Sequence, residues 1–184
     1  DMSSRIRSHA QQAPARRALV EGGRQLDYAA LDRQMDRIAA ALQRDGIEPG
    51  DAVAICAASS IEYACVFLGA LRAGVVVAPL APGATPASLQ RMLDDADTKL
   101  LFTAGDVQLG DGGPARIALD GSAAGRSFDD WLAGGAAPRP VTIDPEAAFN
   151  IIYSSGTTGE PKGIVQSHAM RWAYAARAAR YGYG

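Results

Sequence analysis

The chain has 184 residues, a formal charge of −2 and 48% hydrophobic residues. This balance supports a sizeable core and excludes a disordered chain. It carries no basic excess of the kind that nucleic-acid binding needs. The longest uncharged run, Ala73 to Gln90, holds Pro79, Pro82 and Pro86 and cannot be a membrane helix.

The first residues, Met2-Ser3-Ser4-Arg5, lead into polar sequence and do not resemble a signal peptide. Cys56 and Cys65 both sit among apolar residues and are expected to be small core residues in a reducing, cytoplasmic compartment. With His9 and His168 far apart, no metal site is expected.

Residues 1–26 form an N-terminal arm. Within it, Ala18-Leu19-Val20, the turn Glu21-Gly22-Gly23-Arg24 and Gln25-Leu26 predict a small hairpin. Residues 27–104 then read as an alternating core. Asp27 can cap a helix from Tyr28 to Arg44, whose apolar positions Leu31, Met35, Ile38 and Leu42 recur at helical spacing, with Gly46 ending it. Ala52-Val53-Ala54-Ile55-Cys56 predicts a fully buried strand. Ser59 or Ser60 opens a helix from Ile61 to Ala73, and Gly74 closes it. Val75-Val76-Val77-Ala78-Pro79 is the next strand. Thr85-Pro86 starts a helix to Asp95, followed by the strand Leu100–Thr103. Alternation of this kind with short connections implies right-handed crossovers and a parallel sheet flanked by helices, an α/β fold.

From 105 to 140 glycine and proline punctuate what reads as a surface excursion. Only Ala115–Leu119, as a strand, and Ser127–Leu132, as a helical turn, look ordered. Trp131 is expected to pin that turn to the core.

Residues 141–184 carry the chemistry. Ala147–Ile152 reads as a buried strand, and Ile164-Val165 as a second one. Between them runs Tyr153-Ser154-Ser155-Gly156-Thr157-Thr158-Gly159-Glu160-Pro161-Lys162-Gly163. Glycines let a backbone approach a ligand closely. Consecutive N–H groups in such a loop form an anion-binding concavity. Four hydroxyls and Lys162 add donors and a positive charge, which is what a polyphosphate needs. The chain has two lysines, Lys99 and Lys162, against sixteen arginines. Lysine serves phosphate as a compact point charge. A flexible linker is the bland alternative, but such linkers rarely sit between two strands or end in Pro-Lys-Gly. The spacing is neither that of a Walker A loop nor that of a dinucleotide fingerprint.

Ser167 is placed to cap a last helix through Arg180. Trp172, Ala175, Ala176 and Ala179 are expected to face the sheet, with Arg171, Arg177 and Arg180 on the solvated side. His168, in the first turn, is expected to be structural.

This loop resembles, almost letter for letter, the phosphate loop of the adenylate-forming superfamily, which contains acyl-CoA and aryl-CoA ligases, peptide-synthetase adenylation domains and luciferases. Phe67–Leu80 is similar to a segment recurrent in its N-terminal subdomain, although Ala81 stands where members often have asparagine. The resemblance covers the whole chain but only the first part of the family.

It implies that Ser154, Ser155, Gly156, Thr157, Thr158, Gly159 and Lys162 bind the β- and γ-phosphates of ATP, with Ser154 the weaker member. It implies a carboxylic acid substrate, magnesium, and the thiol of coenzyme A or of a carrier-protein phosphopantetheine as acceptor. The family's aromatic-Gly-x-Thr-Glu string, its ribose-binding aspartate and its C-terminal lysine have no counterpart in these residues, so no catalytic residue and no metal ligand is assigned here. The resemblance thus points to an AMP-forming acid–CoA ligase, with a peptide-synthetase adenylation domain or a non-catalytic nucleotide-binding module as alternatives. The chain by itself is expected to be inactive and to self-associate.

Overall fold

The structure, a computed structural model, describes residues 1–105, 107–109, 112–121, 124–134, 136–155 and 161–180. Alternation of strand and helix builds one seven-stranded mixed sheet beside a small hairpin. The arm opens with a helix, α1 (Met2–Gln12), capped by Asp1, whose side chain accepts from the Ser4 N–H. This helix departs from the sequence expectation for residues 1–26. It buries only Ile6, so there is no apolar stripe to betray it. The expected hairpin follows as antiparallel β1 (Arg17–Glu21) and β2 (Arg24–Asp27).

Asp27 then caps α2 (Tyr28–Arg44), its Oδ1 accepting the Ala30 N–H at 2.7 Å. β3 (Ala52–Cys56) leads into α3 (Ile61–Arg72), and Ser60, not Ser59, provides the cap. β4 (Val76–Leu80), α4 (Pro86–Asp95) and β5 (Thr98–Thr103) complete the alternating core, with Thr85 capping α4.

Two segments of the glycine-rich stretch, β6 (Ala115–Ala118) and β7 (Arg126–Ser127), extend the sheet. α5 (Phe128–Leu132), capped by Ser127, packs beside them. Trp131 is 1% exposed. It packs edge-on against Phe102 and donates its indole N–H to Asp45 Oδ2 at 2.7 Å, so it pins the turn as expected. β8 (Ala148–Ser155), β9 (Pro161–Ser167) and α6 (His168–Arg180) end the described chain.

The strand order is β7-β6-β5-β3-β4-β8-β9. All adjacent pairs are parallel except β8 and β9, which are antiparallel. β3 and β4 are buried on both faces. Val53, Ile55, Val75 and Val77 pack with α2 and α3, whereas Ala54, Cys56, Val76 and Ala78 pack with Leu89, Met92 and Leu93 of α4. The chain therefore leaves β3 toward one face and β4 toward the other. Gly69 of α3 faces Ile38 of α2, and Arg72, buried, donates to Asp32 Oδ1 at 2.6 Å and Asp36 Oδ1 at 2.9 Å. Among the described residues no helix is long and apolar enough to cross a membrane.

Two expectations for the C-terminal part need correction. β9 is an exposed edge strand, not a buried one: Ile164 is 51% and Val165 61% exposed. On α6, Trp172, Ala175 and Ala176 face outward, and Ala179 has no described side chain. The residues that turn inward are His168 and Arg171. His168 meets the Phe149 ring edge-on at 5.1 Å, and the Arg171 guanidinium lies 5.7 Å from the same ring centroid.

Candidate functional site

The site is built where parallel strands end. Register places Thr103 of β5, Cys56 of β3 and Leu80 of β4 in one row at the carboxyl edge of the sheet. Val77 of β4 pairs with Asn150 of β8. Three residues further along each strand, Leu80 is level with Tyr153, so Ser154 and Ser155 project beyond the row. The next strand pair, β3 and β4, sends its two connections to opposite faces. That is a switch point, the place where open α/β sheets leave a crevice for ligands.

β9 returns beside β8 in antiparallel register. Ser155 is opposite Pro161, Ser154 opposite Lys162, and Tyr153 opposite Gly163. Ser154 and Lys162 are thus directly paired at the loop's base, and Lys162 is exposed. Ser155 lies at the end of β8. Gly156, Thr157, Thr158 and Gly159 fall outside the described residues. Of the seven residues expected to hold phosphate, the structure brings together Ser154, Ser155 and Lys162 at one strand end.

Sequence reasoning missed the support beneath this pair. Tyr153 directs its hydroxyl at Asp95 Oδ2, 2.7 Å away, and at the Met92 carbonyl, 3.0 Å away, both in the last turn of α4. Burial, and then the neighbouring Asp95 carboxylate, push the phenol pKa well above its ordinary value, so the hydroxyl stays protonated as a donor. Only the position of Tyr153 next to the motif could have drawn attention to it.

The two buried thiols lie at the end of β3 (Cys56) and within α3 (Cys65). Burial raises Cys56 to about 11 and Cys65 to about 12, so neither is a nucleophile at neutral pH. His168 is buried, and desolvation holds its pKa below the ordinary value. Its contacts are those of the structural role expected for it. Among the described residues no three His, Cys, Asp or Glu side chains converge as a metal site. A cavity of about 680 Å³ lies elsewhere, between β2, β6, α2 and the start of α3. Arg24, Arg33 and Arg37 line it together with Glu62, Asp120 and Asp129, so it favours neither sign of charge.

The sequence profile of the AMP-binding enzyme family matches residues 6–182, and the chain belongs to that family. It is 34% identical over 166 residues to the fatty acid–[acyl-carrier-protein] ligase ScoC of Streptomyces coeruleorubidus, an alignment covering 87% of this chain and 31% of that protein. It is 33% identical over 159 residues to one of the linear gramicidin synthase proteins of Brevibacillus parabrevis, covering 84% of this chain and 2% of that one. Its fold matches the N-terminal domain of FACL13 from Mycobacterium tuberculosis with a TM-score of 0.78 and 27% identity, over 91% of this chain and 44% of that chain. The chain therefore spans about a third of the length of the first relative.

Proposed function

We propose that the chain is the phosphate-holding part of an AMP-forming ligase. In this reading a carboxylate oxygen attacks the α-phosphorus of ATP, the bond to the bridging oxygen breaks, and pyrophosphate leaves with the electron pair. The acyl-adenylate then passes its acyl group to a thiol and releases AMP. Charge builds on the departing pyrophosphate, and fixed donors aimed at it lower the barrier without reorganisation.

Ser154, Ser155, Gly156, Thr157, Thr158, Gly159 and Lys162 are the residues we assign to the β- and γ-phosphates. One observation carries this assignment: β8 runs Ser154 and Ser155 past the carboxyl row, and β9 returns Lys162 directly opposite Ser154. A cationic head on a flexible stem at that point reaches a polyphosphate. We assign no magnesium ligand to this chain. The ion would arrive with ATP, held by phosphate oxygens.

The acceptor is the thiol of coenzyme A in an acyl- or aryl-CoA ligase acting in the cytoplasm. A carrier-protein phosphopantetheine is the second reading, favoured by the two relatives above, one an acyl-carrier-protein ligase and the other a gramicidin synthase protein. The exposed Ile164, Val165, Trp172 and Tyr174 support self-association of the isolated chain.

The experiment is pyrophosphate–ATP exchange by the full-length protein with a panel of carboxylic acids. Thioester formation is then measured with coenzyme A and, separately, with a phosphopantetheinylated carrier. Acid-dependent exchange is expected. Its absence with every acid would remove the adenylating function, and thioester on the carrier alone would replace the coenzyme A reading.

A further inference from the structure

Below the Ser154–Lys162 pair, α4 grips both strands of the hairpin at one point. Tyr153 on β8 reaches Asp95 and the Met92 carbonyl. Directly opposite Tyr153 on β9 stands Gly163. A Cβ at Gly163 would come within 3.0 Å of Ile151 Cγ2, 3.1 Å of Asp95 Oδ2 and 3.2 Å of Tyr153 Cε1. A side chain at Gly163 is therefore tight, and these neighbours would have to give by a few tenths of an ångström. No side chain separates the Asp95 carboxylate and the Tyr153 ring from the β9 backbone. The three residues close a latch that spans α4, β8 and β9.

We infer that Asp95, Tyr153 and Gly163 form a positioning latch that holds Lys162 and the serines at the register needed to meet the phosphates of a nucleotide. The latch lies one residue pair from Ser154 and Lys162, so any slip in it is passed directly to them. Among the described residues β8 is the one strand that pairs with β9, which ends the sheet. A two-stranded antiparallel edge is weakly held without packing against a further element. α4 supplies that packing, and Asp95 is its last residue. In this proposal Tyr153 and Asp95 act through Ser154 and Lys162, as positioning residues.

The kinetic arm of this proposal rests on the adenylating function proposed above, so a second arm is independent of activity. In the full-length protein, Asp95→Ala and Tyr153→Phe should each lower kcat/KM for ATP by roughly tenfold, the loss expected for one hydrogen bond to a charged group. KM for the acid should stay within about twofold, since a latch on the phosphate side leaves acid binding alone. Asp95→Asn, whose amide oxygen still accepts from Tyr153, should recover most of the activity. Gly163→Ala should fall with the first two.

In the second arm, amide hydrogen exchange is compared at Lys162–Val165 and at Leu100–Phe102. Asp95→Ala and Tyr153→Phe should speed exchange in β9 and leave β5 unchanged. Unchanged β9 protection overturns the latch, as does an equal loss in Asp95→Ala and Asp95→Asn, or an equal loss in the ATP and acid parameters. If the wild-type protein exchanges pyrophosphate with none of the acids, the adenylating function fails. The latch is then decided by amide exchange alone.

Discussion

Gly69 of α3 lies so close to Ile38 of α2 that a Cβ on the glycine would stand 2.6 Å from Ile38 Cβ and 2.7 Å from its Cγ2. Ile38 is fully buried, so it has no room to retreat. Alanine should gain up to about 1 kcal/mol of helix propensity over glycine. Overpacking of a tight core costs about 1–3 kcal/mol. The second term should win, because the contact is shorter than any real Cβ contact. Gly69→Ala is expected to lower the urea midpoint of the chain without changing its m-value. Gly83→Ala, with nothing within 4 Å, is the neutral comparison. Equal midpoints for the two variants would show that α2 and α3 are not packed this closely.

His168 makes stability depend on pH in a defined direction. Its pKa is lowered on folding, chiefly by burial against Phe149. The unfolded chain therefore binds its proton more readily than the folded one. Stability is full above the ordinary histidine value of about 6.5 and is lost as pH falls through it. Wild type and His168→Phe, compared by urea unfolding between pH 8 and pH 5, should diverge only on the acid side. A difference that stays constant across this range would mean that His168 keeps an ordinary pKa in the fold.

The fold and its functional end were legible to different degrees. Asp27, Thr85 and Ser167 could be read as caps because short oxygen-bearing side chains precede apolar periodic runs. β3 and β4 could be read as central strands because both of their faces are apolar. The exposure of β9 could not be read, since Ile164-Val165 has the composition of a buried strand. Its direction could have been. Only five residues separate Ser155 from Pro161, and a parallel return needs a dozen or more. The Asp95–Tyr153 contact joins residues 58 apart in sequence, and no local pattern encodes it.

Lys162 carries the electrostatic side of the proposed function. It stands at the hairpin's base opposite Ser154 and is exposed. A charge-assisted hydrogen bond to phosphate contributes about 1.5–3 kcal/mol. Lys162→Ala in the full-length protein should therefore lower kcat/KM for ATP by roughly ten- to hundredfold, leaving KM for the acid little changed. Steady-state kinetics with ATP and acid varied in turn measures both. An unchanged kcat/KM for ATP would take Lys162 out of the phosphate site.

The 184-residue chain is expected to form no acyl-adenylate by itself. It carries the loop proposed above to hold phosphate, but no aromatic-Gly-x-Thr-Glu string occurs in its sequence. It spans about a third of the length of a relative named as a ligase. Preorganised donors act strongly in a closed, water-excluded site. Here Lys162 is open to solvent and the outer faces of β9 and α6 expose Ile164, Val165 and Trp172. Water then competes for every phosphate oxygen, and a grip on one side gives weak nucleotide binding. Purified chain should show no pyrophosphate exchange into ATP above background with any of a broad panel of carboxylic acids. Exchange with even one acid would mean that these residues hold a complete active site, with an acyl pocket and an adenine seat inside the described fold.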